Sequence, residues 1–179
     1  MTSPGRGATR ALLDVGLAVA LLLGAPMVQA RDTPMSGTGA TERGTTRALS
    51  AAEVPALVAP PARGVRLIAV WSLDCAYCEE NLTALRAYQR GHADVELVFV
   101  ATDPVAQGPA IDARLKKSGL DDVPSRAYTD ATPDRINFAL DPTWGGETPR
   151  TMIVRADGSR RGISGALDAD RIARLVEVK

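Results

Sequence analysis

The chain has 179 residues, and its 21 Lys and Arg are matched by 21 Asp and Glu, so it carries no formal net charge near neutrality. That balance leaves no basic footprint for nucleic acid and no single-signed surface for a strongly charged partner. Two cysteines are too few for a disulfide scaffold, and together with one histidine they fall short of the four ligands of a structural zinc site.

Arg6 and Arg10 precede an apolar run over residues 16–25, followed by Pro26 and Val28-Gln29-Ala30. A basic start, an apolar core and a small-residue cleavage point make the layout of a secretory signal, although Asp14 interrupts it. The core is shorter than the roughly 20 apolar residues of a membrane span. Residues 1–30 are therefore expected to be a signal peptide cleaved after Ala30, with an uncleaved membrane anchor as the alternative. Export places the rest of the chain in the periplasm, where disulfide chemistry is at home. Residues 31–50 are rich in Gly, Thr, Ser and Arg and poor in large apolar side chains. Such a stretch buries too little surface to offset its ordering entropy, so it is expected to be a flexible leader. Residues 51–179 are left as one domain of ordinary size.

The order of elements in that domain follows from hydrophobic periodicity and breakers. Pro60-Pro61 precedes a short apolar strand, 65–71, suited to a sheet covered on both faces. Beyond it Leu82, Leu85 and Tyr88 recur at helical spacing, with Gly91 as a stop and His92 in the following turn, away from the cysteines. Residues 95–101 form a second buried strand, and strand–helix–strand reads as a parallel crossover. A helix is expected over 109–118, with Ile111 and Leu115 inward and Gly119 ending it. A short strand follows at 126–128, then a brief helix from Thr132-Pro133 to Leu140. After a loop over 141–146 come a strand at 151–154, a turn at Asp157-Gly158, a return strand at 161–163 and a last helix at 168–178. No strand is evident between Arg31 and Pro61.

Cys75 and Cys78 stand three apart where the first strand gives way to the first long helix. Both sulfurs are expected on the first turn of that helix, where free N–H groups and the dipole favour a thiolate. In that arrangement Cys75 is the exposed attacking sulfur and Cys78 the partly buried one that closes the disulfide. A purely structural bridge is the plainer alternative, but a four-residue loop removes little entropy from the unfolded chain.

This order of elements, with C-x-x-C at the head of the first helix and Glu147-Thr148-Pro149-Arg150 before the hairpin, resembles the thioredoxin fold. Gly145-Gly146 and the exported setting look most like the TlpA/ResA/DsbE-like thiol-disulfide oxidoreductases. The resemblance covers residues from about 60 to 179. It implies an α/β three-layer fold, a central mixed sheet flanked by helices. It implies Cys75 and Cys78 as catalytic residues, with Thr148, Pro149 and Trp71 as substrate-binding residues. In the family the proline follows a cis bond; an ordinary trans proline opening an edge strand is the alternative. The activity implied is disulfide exchange without cofactor or resident metal, in the reducing direction. Its substrates would be exported proteins with cysteine pairs, such as apocytochrome c or a copper site, and its electrons would come from a membrane donor. A Cu(I) metallochaperone using the two sulfurs, or a redox-inert binding module, is the rival reading. The chain departs from the family in carrying Asp74 before Cys75, where relatives often have Trp, and Asn81 where they often carry Glu. The proton acceptor for Cys78 is thereby left unassigned.

Overall fold

The computed structural model describes residues 44–129 and 133–177. The expected signal peptide and most of the expected leader lie outside these residues. The elements run β1 (Arg47–Leu49), α1 (Val54–Leu57), β2 (Val65–Trp71), α2 (Cys78–Arg90), β3 (Val95–Pro104), α3 (Gly108–Lys117), β4 (Ser125–Tyr128), α4 (Pro133–Leu140), β5 (Arg150–Arg155), β6 (Arg160–Ser164) and α5 (Ala169–Glu177).

The six strands form one mixed sheet in the order β1-β4-β3-β2-β5-β6. β2, β3, β4 and β1 run parallel, whereas β5 is antiparallel to β2 and β6 to β5. The alternation of side chains along β2 divides the core in two. Leu67, Ala69 and Trp71 join a cluster with Leu82 and Leu85 of α2, Ile111 and Leu115 of α3 and Ile172 of α5. Ile68 and Val70 join Val54 of α1 and Ile136 and Leu140 of α4. The result is helix, sheet, helix, with both faces of the central strands covered, which accounts for the near-continuous apolar runs of β2 and β3.

One expected boundary is corrected. Arg47–Leu49, assigned from sequence to the leader, is a sheet strand pairing in parallel with Arg126–Tyr128. Leu49 is buried in the core, and Thr46 donates its hydroxyl to Ser125 Oγ at 2.9 Å. The physical reason is non-local. This strand has one buried apolar side chain and takes its conformation from β4, so no local periodicity announces it. Gly91 caps the end of α2, as its place in the sequence suggests, with φ of −87° in the ordinary right-handed region.

Gly64 is the glycine that the fold needs most visibly. It has φ of +65°, and a Cβ there would collide with the backbone carbonyl of Asp94, which accepts the Val65 N–H at 3.1 Å as β2 and β3 begin to pair. Gly64→Ala is expected to cost at least about 2 kcal/mol, combining left-handed strain with a backbone clash. Urea unfolding of the two proteins checks it.

Candidate active site

β2 ends at Trp71, and two successive turns then lead into α2. Cys75 N–H donates to Ser72 O at 3.3 Å and Cys78 N–H to Cys75 O at 3.4 Å. Cys75 and Cys78 are joined as a disulfide. The helix itself begins at Cys78, with Tyr77 as its N-cap. Only the second sulfur therefore lies on the first turn, contrary to the expectation that both would. The burial of the two is unequal: Cys78 is 1% exposed and belongs to the core with Leu82 and Leu85, while Cys75 is half-buried at its margin. Tyr77, between them, is 68% exposed and is one of two large apolar side chains on the described surface.

The second wall of the site comes from β5. Val70 of β2 lies opposite Arg150 in the antiparallel register. Two residues further along, Ser72 faces Thr148, and their hydroxyl oxygens are 3.3 Å apart. The Thr148–Pro149 peptide bond is cis. Pro149 O accepts the Gly165 N–H at 2.9 Å, which fastens the proline to the end of β6. Among the described residues none pairs with the backbone N–H or C=O of Thr148. β3 steadies the cysteine loop from the other side, where Asp103 accepts the Leu73 N–H at 2.9 Å.

Of the residues expected at the site, Cys75 and Cys78 are bonded to each other, and Thr148, next to Pro149, reaches the cysteine loop through Ser72. Trp71 is 2% exposed and packs in the core, so it floors the cysteine loop and offers no surface to a substrate. His92 follows the far end of α2, about 20 Å along a 13-residue helix from Cys78. It stacks on Tyr88 at 3.9 Å.

A buried ionic brace, not evident from the sequence, lies behind Pro149. The Arg150 side chain is 9% exposed and pairs with Asp141, 11% exposed, from the loop after α4. It also donates to Ser164 Oγ at 2.6 Å and Glu147 Oε1 at 3.3 Å, and its guanidinium lies 5.9 Å from the Trp144 ring centroid. Trp144 Nε1 donates to Glu147 O at 2.8 Å, drawing the loop before Thr148 into the same network. The available signal was Gly162 inside a strand: a Cβ there would collide with both Arg150 and Asp141. Burial alone would push the Asp141 carboxyl up. Hydrogen bonds from Arg150 and Thr143 outweigh it and hold this carboxyl below the ordinary range.

No protein-family model matches the chain, and no curated protein matches it. Solved structures do. A thiol:disulfide interchange protein of the thioredoxin family from Chlorobium tepidum TLS aligns with a TM-score of 0.53 and 18% identity, over 69% of this chain and 82% of that one. The fold is thioredoxin-like. A DsbF homologue from Corynebacterium diphtheriae aligns with a TM-score of 0.52 and 12% identity, over 65% of this chain and 73% of that one. StoA from Bacillus subtilis aligns at 0.50 and 15%, over 66% and 86%. In the thioredoxin-like frame, the disulfide sits at the head of the helix that follows the central strand β2, on the loop whose Ser72 meets Thr148.

The Arg150–Asp141 pair yields a stability prediction with a defined sign. A carboxylate held low in the folded state contributes stability in full above its unfolded value, 3.8, and loses it as pH falls through the lower folded value. Asp141→Asn leaves a buried guanidinium short of its charge partner and is expected to cost about 3 kcal/mol at pH 7. The difference from the parent protein should narrow in acid below the ordinary carboxylate range, as read by urea unfolding at a series of pH values.

Proposed function

We propose that this chain is a thiol–disulfide oxidoreductase of the bacterial cell envelope that reduces disulfides in exported proteins. The observation that carries the reading is the asymmetric dithiol, with one half-buried sulfur bonded to one fully buried sulfur, on a loop that meets Thr148 through Ser72. The apolar N-terminal segment behind Arg6 and Arg10 supports export. The names borne by the structural neighbours, a thiol:disulfide interchange protein and a thiol-disulfide isomerase from Corynebacterium glutamicum among them, support the chemistry.

In the reducing direction the Cys75 thiolate attacks one sulfur of the partner's disulfide. A Cys75–partner bond forms, the partner's S–S bond breaks, and the partner's second sulfur leaves as a thiolate that takes a proton. Cys78 then loses its proton and attacks Cys75. The Cys75–Cys78 bond forms and the partner's first sulfur leaves as a thiolate. The partner gains two electrons and the dithiol loses two, and a membrane donor of electron pairs restores it. The partner lies extended along Thr148, which can pair with it as a strand does, while Pro149 has no N–H to compete. Cysteine pairs awaiting haem or copper are the proposed substrates.

The test is trapping. Reduced Cys78→Ser protein, mixed with a synthetic peptide closed by one disulfide, should accumulate a covalent adduct at Cys75 visible by mass spectrometry, and Cys75→Ser should give none. Retained exchange in Cys75→Ser would overturn the proposal.

A further inference from the structure

The dithiol is bracketed. Three residues before Cys75 stands Ser72, and three residues after Cys78 stands Asn81. Each reaches a threonine within two residues of Pro149: Ser72 meets Thr148 at 3.3 Å, and Asn81 Nδ2 donates to Thr151 Oγ1 at 3.3 Å. The two bridges differ in setting. Ser72 and Thr148 are half-buried at the mouth of the site, whereas Asn81 is 0% and Thr151 1% exposed.

The inner bridge occupies positions where packing alone would ask for apolar side chains. Asn81 lies on the buried face of α2 with Cys78, Leu82 and Leu85, and Thr151 directly precedes Met152-Ile153-Val154 in β5. A buried amide is costly unless paired. Here both ends are engaged, since Asn81 Oδ1 accepts the Leu167 N–H at 3.0 Å. That bond fixes the amide orientation, because a backbone N–H can only donate. One side chain thus fixes the first turn of α2 against β5 and the β6–α5 connection. Its position three residues from Cys78 puts it on the same side of the helix.

The outer bridge has a direction that proton counting supplies. Ser72 Oγ has one hydrogen and lies 2.6 Å from Asp74 Oδ1, an acceptor when ionised. That hydrogen is committed to Asp74. The hydrogen between Ser72 and Thr148 therefore comes from Thr148, and the chain runs Thr148 to Ser72 to Asp74. It ties the residue on which a partner strand would lie to the loop that carries Cys75.

We propose that Ser72 and Asn81 are positioning residues of the exchange reaction, Ser72 aligning the docked partner with Cys75 and Asn81 aligning Cys78 for its attack on Cys75. This rests on the exchange reading above. It divides the labour by step: the outer bridge serves capture, in which the Cys75–partner bond forms, and the inner bridge serves release, in which the Cys75–Cys78 bond forms and the partner thiolate leaves. Misplacing a reacting group by a fraction of an ångström is enough to slow such steps severalfold or more.

Single-turnover rapid quench of the reduced full chain with the disulfide-closed peptide resolves the two steps as rise and decay of the adduct. Ser72→Ala is expected to slow the rise about tenfold and leave the decay unchanged, with Ser72→Thr restoring the rise to within about twofold. Thr151→Val, nearly isosteric and leaving the Asn81–Leu167 bond in place, is expected to slow the decay about tenfold and leave the rise unchanged. Parallel losses in both steps, both rates unchanged, or no rescue by Ser72→Thr would overturn the assignment of the residue concerned. A parent protein that exchanges while the variants behave this way overturns the inference alone. A parent protein that forms no adduct overturns the exchange reading, and the inference with it.

Discussion

The arrangement of the site depends on the burial of Cys78. Its side chain belongs to the apolar face of α2, in the cluster that holds Leu82 and Leu85 against Leu67, Ala69 and Trp71 of β2. A helix seated on the sheet by that face cannot turn its first residue outward without exposing the rest. Cys78 is therefore fixed inside. Cys75, three residues earlier in the turns leading from β2, is held at the margin and bonded to it. The inequality between the two sulfurs is a packing outcome before it is a chemical one.

A second constraint is the antiparallel register of β2 with β5. Because Val70 pairs with Arg150, the residues leaving β2 and those entering β5 meet beyond the end of the ladder, and Ser72 arrives at Thr148. A shift by one residue would turn Arg150 to the opposite face and bring a different residue to Ser72. The buried ion pair of Arg150 with Asp141 makes that slip expensive, since a guanidinium moved away from its partners would be left uncompensated. Gly162 is the opening in β6 that admits the pair. The brace, the register and the turn at Pro149 thus act together to present Thr148.

Much of this was legible in the residues. The strands β2 and β3, the helices α2 and α3 and the β5–β6 hairpin follow from apolar periodicity and from Gly119 and Asp157-Gly158, signals that act within a few residues. The cysteine pair and Thr148-Pro149 were legible as motifs. What escaped depends on partners distant in sequence. β1 is a strand because β4 lies beside it, 79 residues away for the Thr46–Ser125 bond. Asn81 is informative only once Thr151 and Leu167 are seen to surround it, and Arg150 only once Asp141 is seen to face it. Trp71 shows the converse error: an aromatic near a reactive motif suggests contact with a substrate, yet its place in the alternation of β2 sends it into the core.

The two sulfurs are made unequal by where α2 begins and which face it buries. The most direct measurement is competitive alkylation of the fully reduced protein at neutral pH, with each cysteine's modification followed separately by peptide mass spectrometry. Cys75 should be modified at least tenfold faster than Cys78, with Cys78 becoming fully reactive only in denaturant. Equal rates at the two positions in the folded protein, or faster modification of Cys78, would contradict the account.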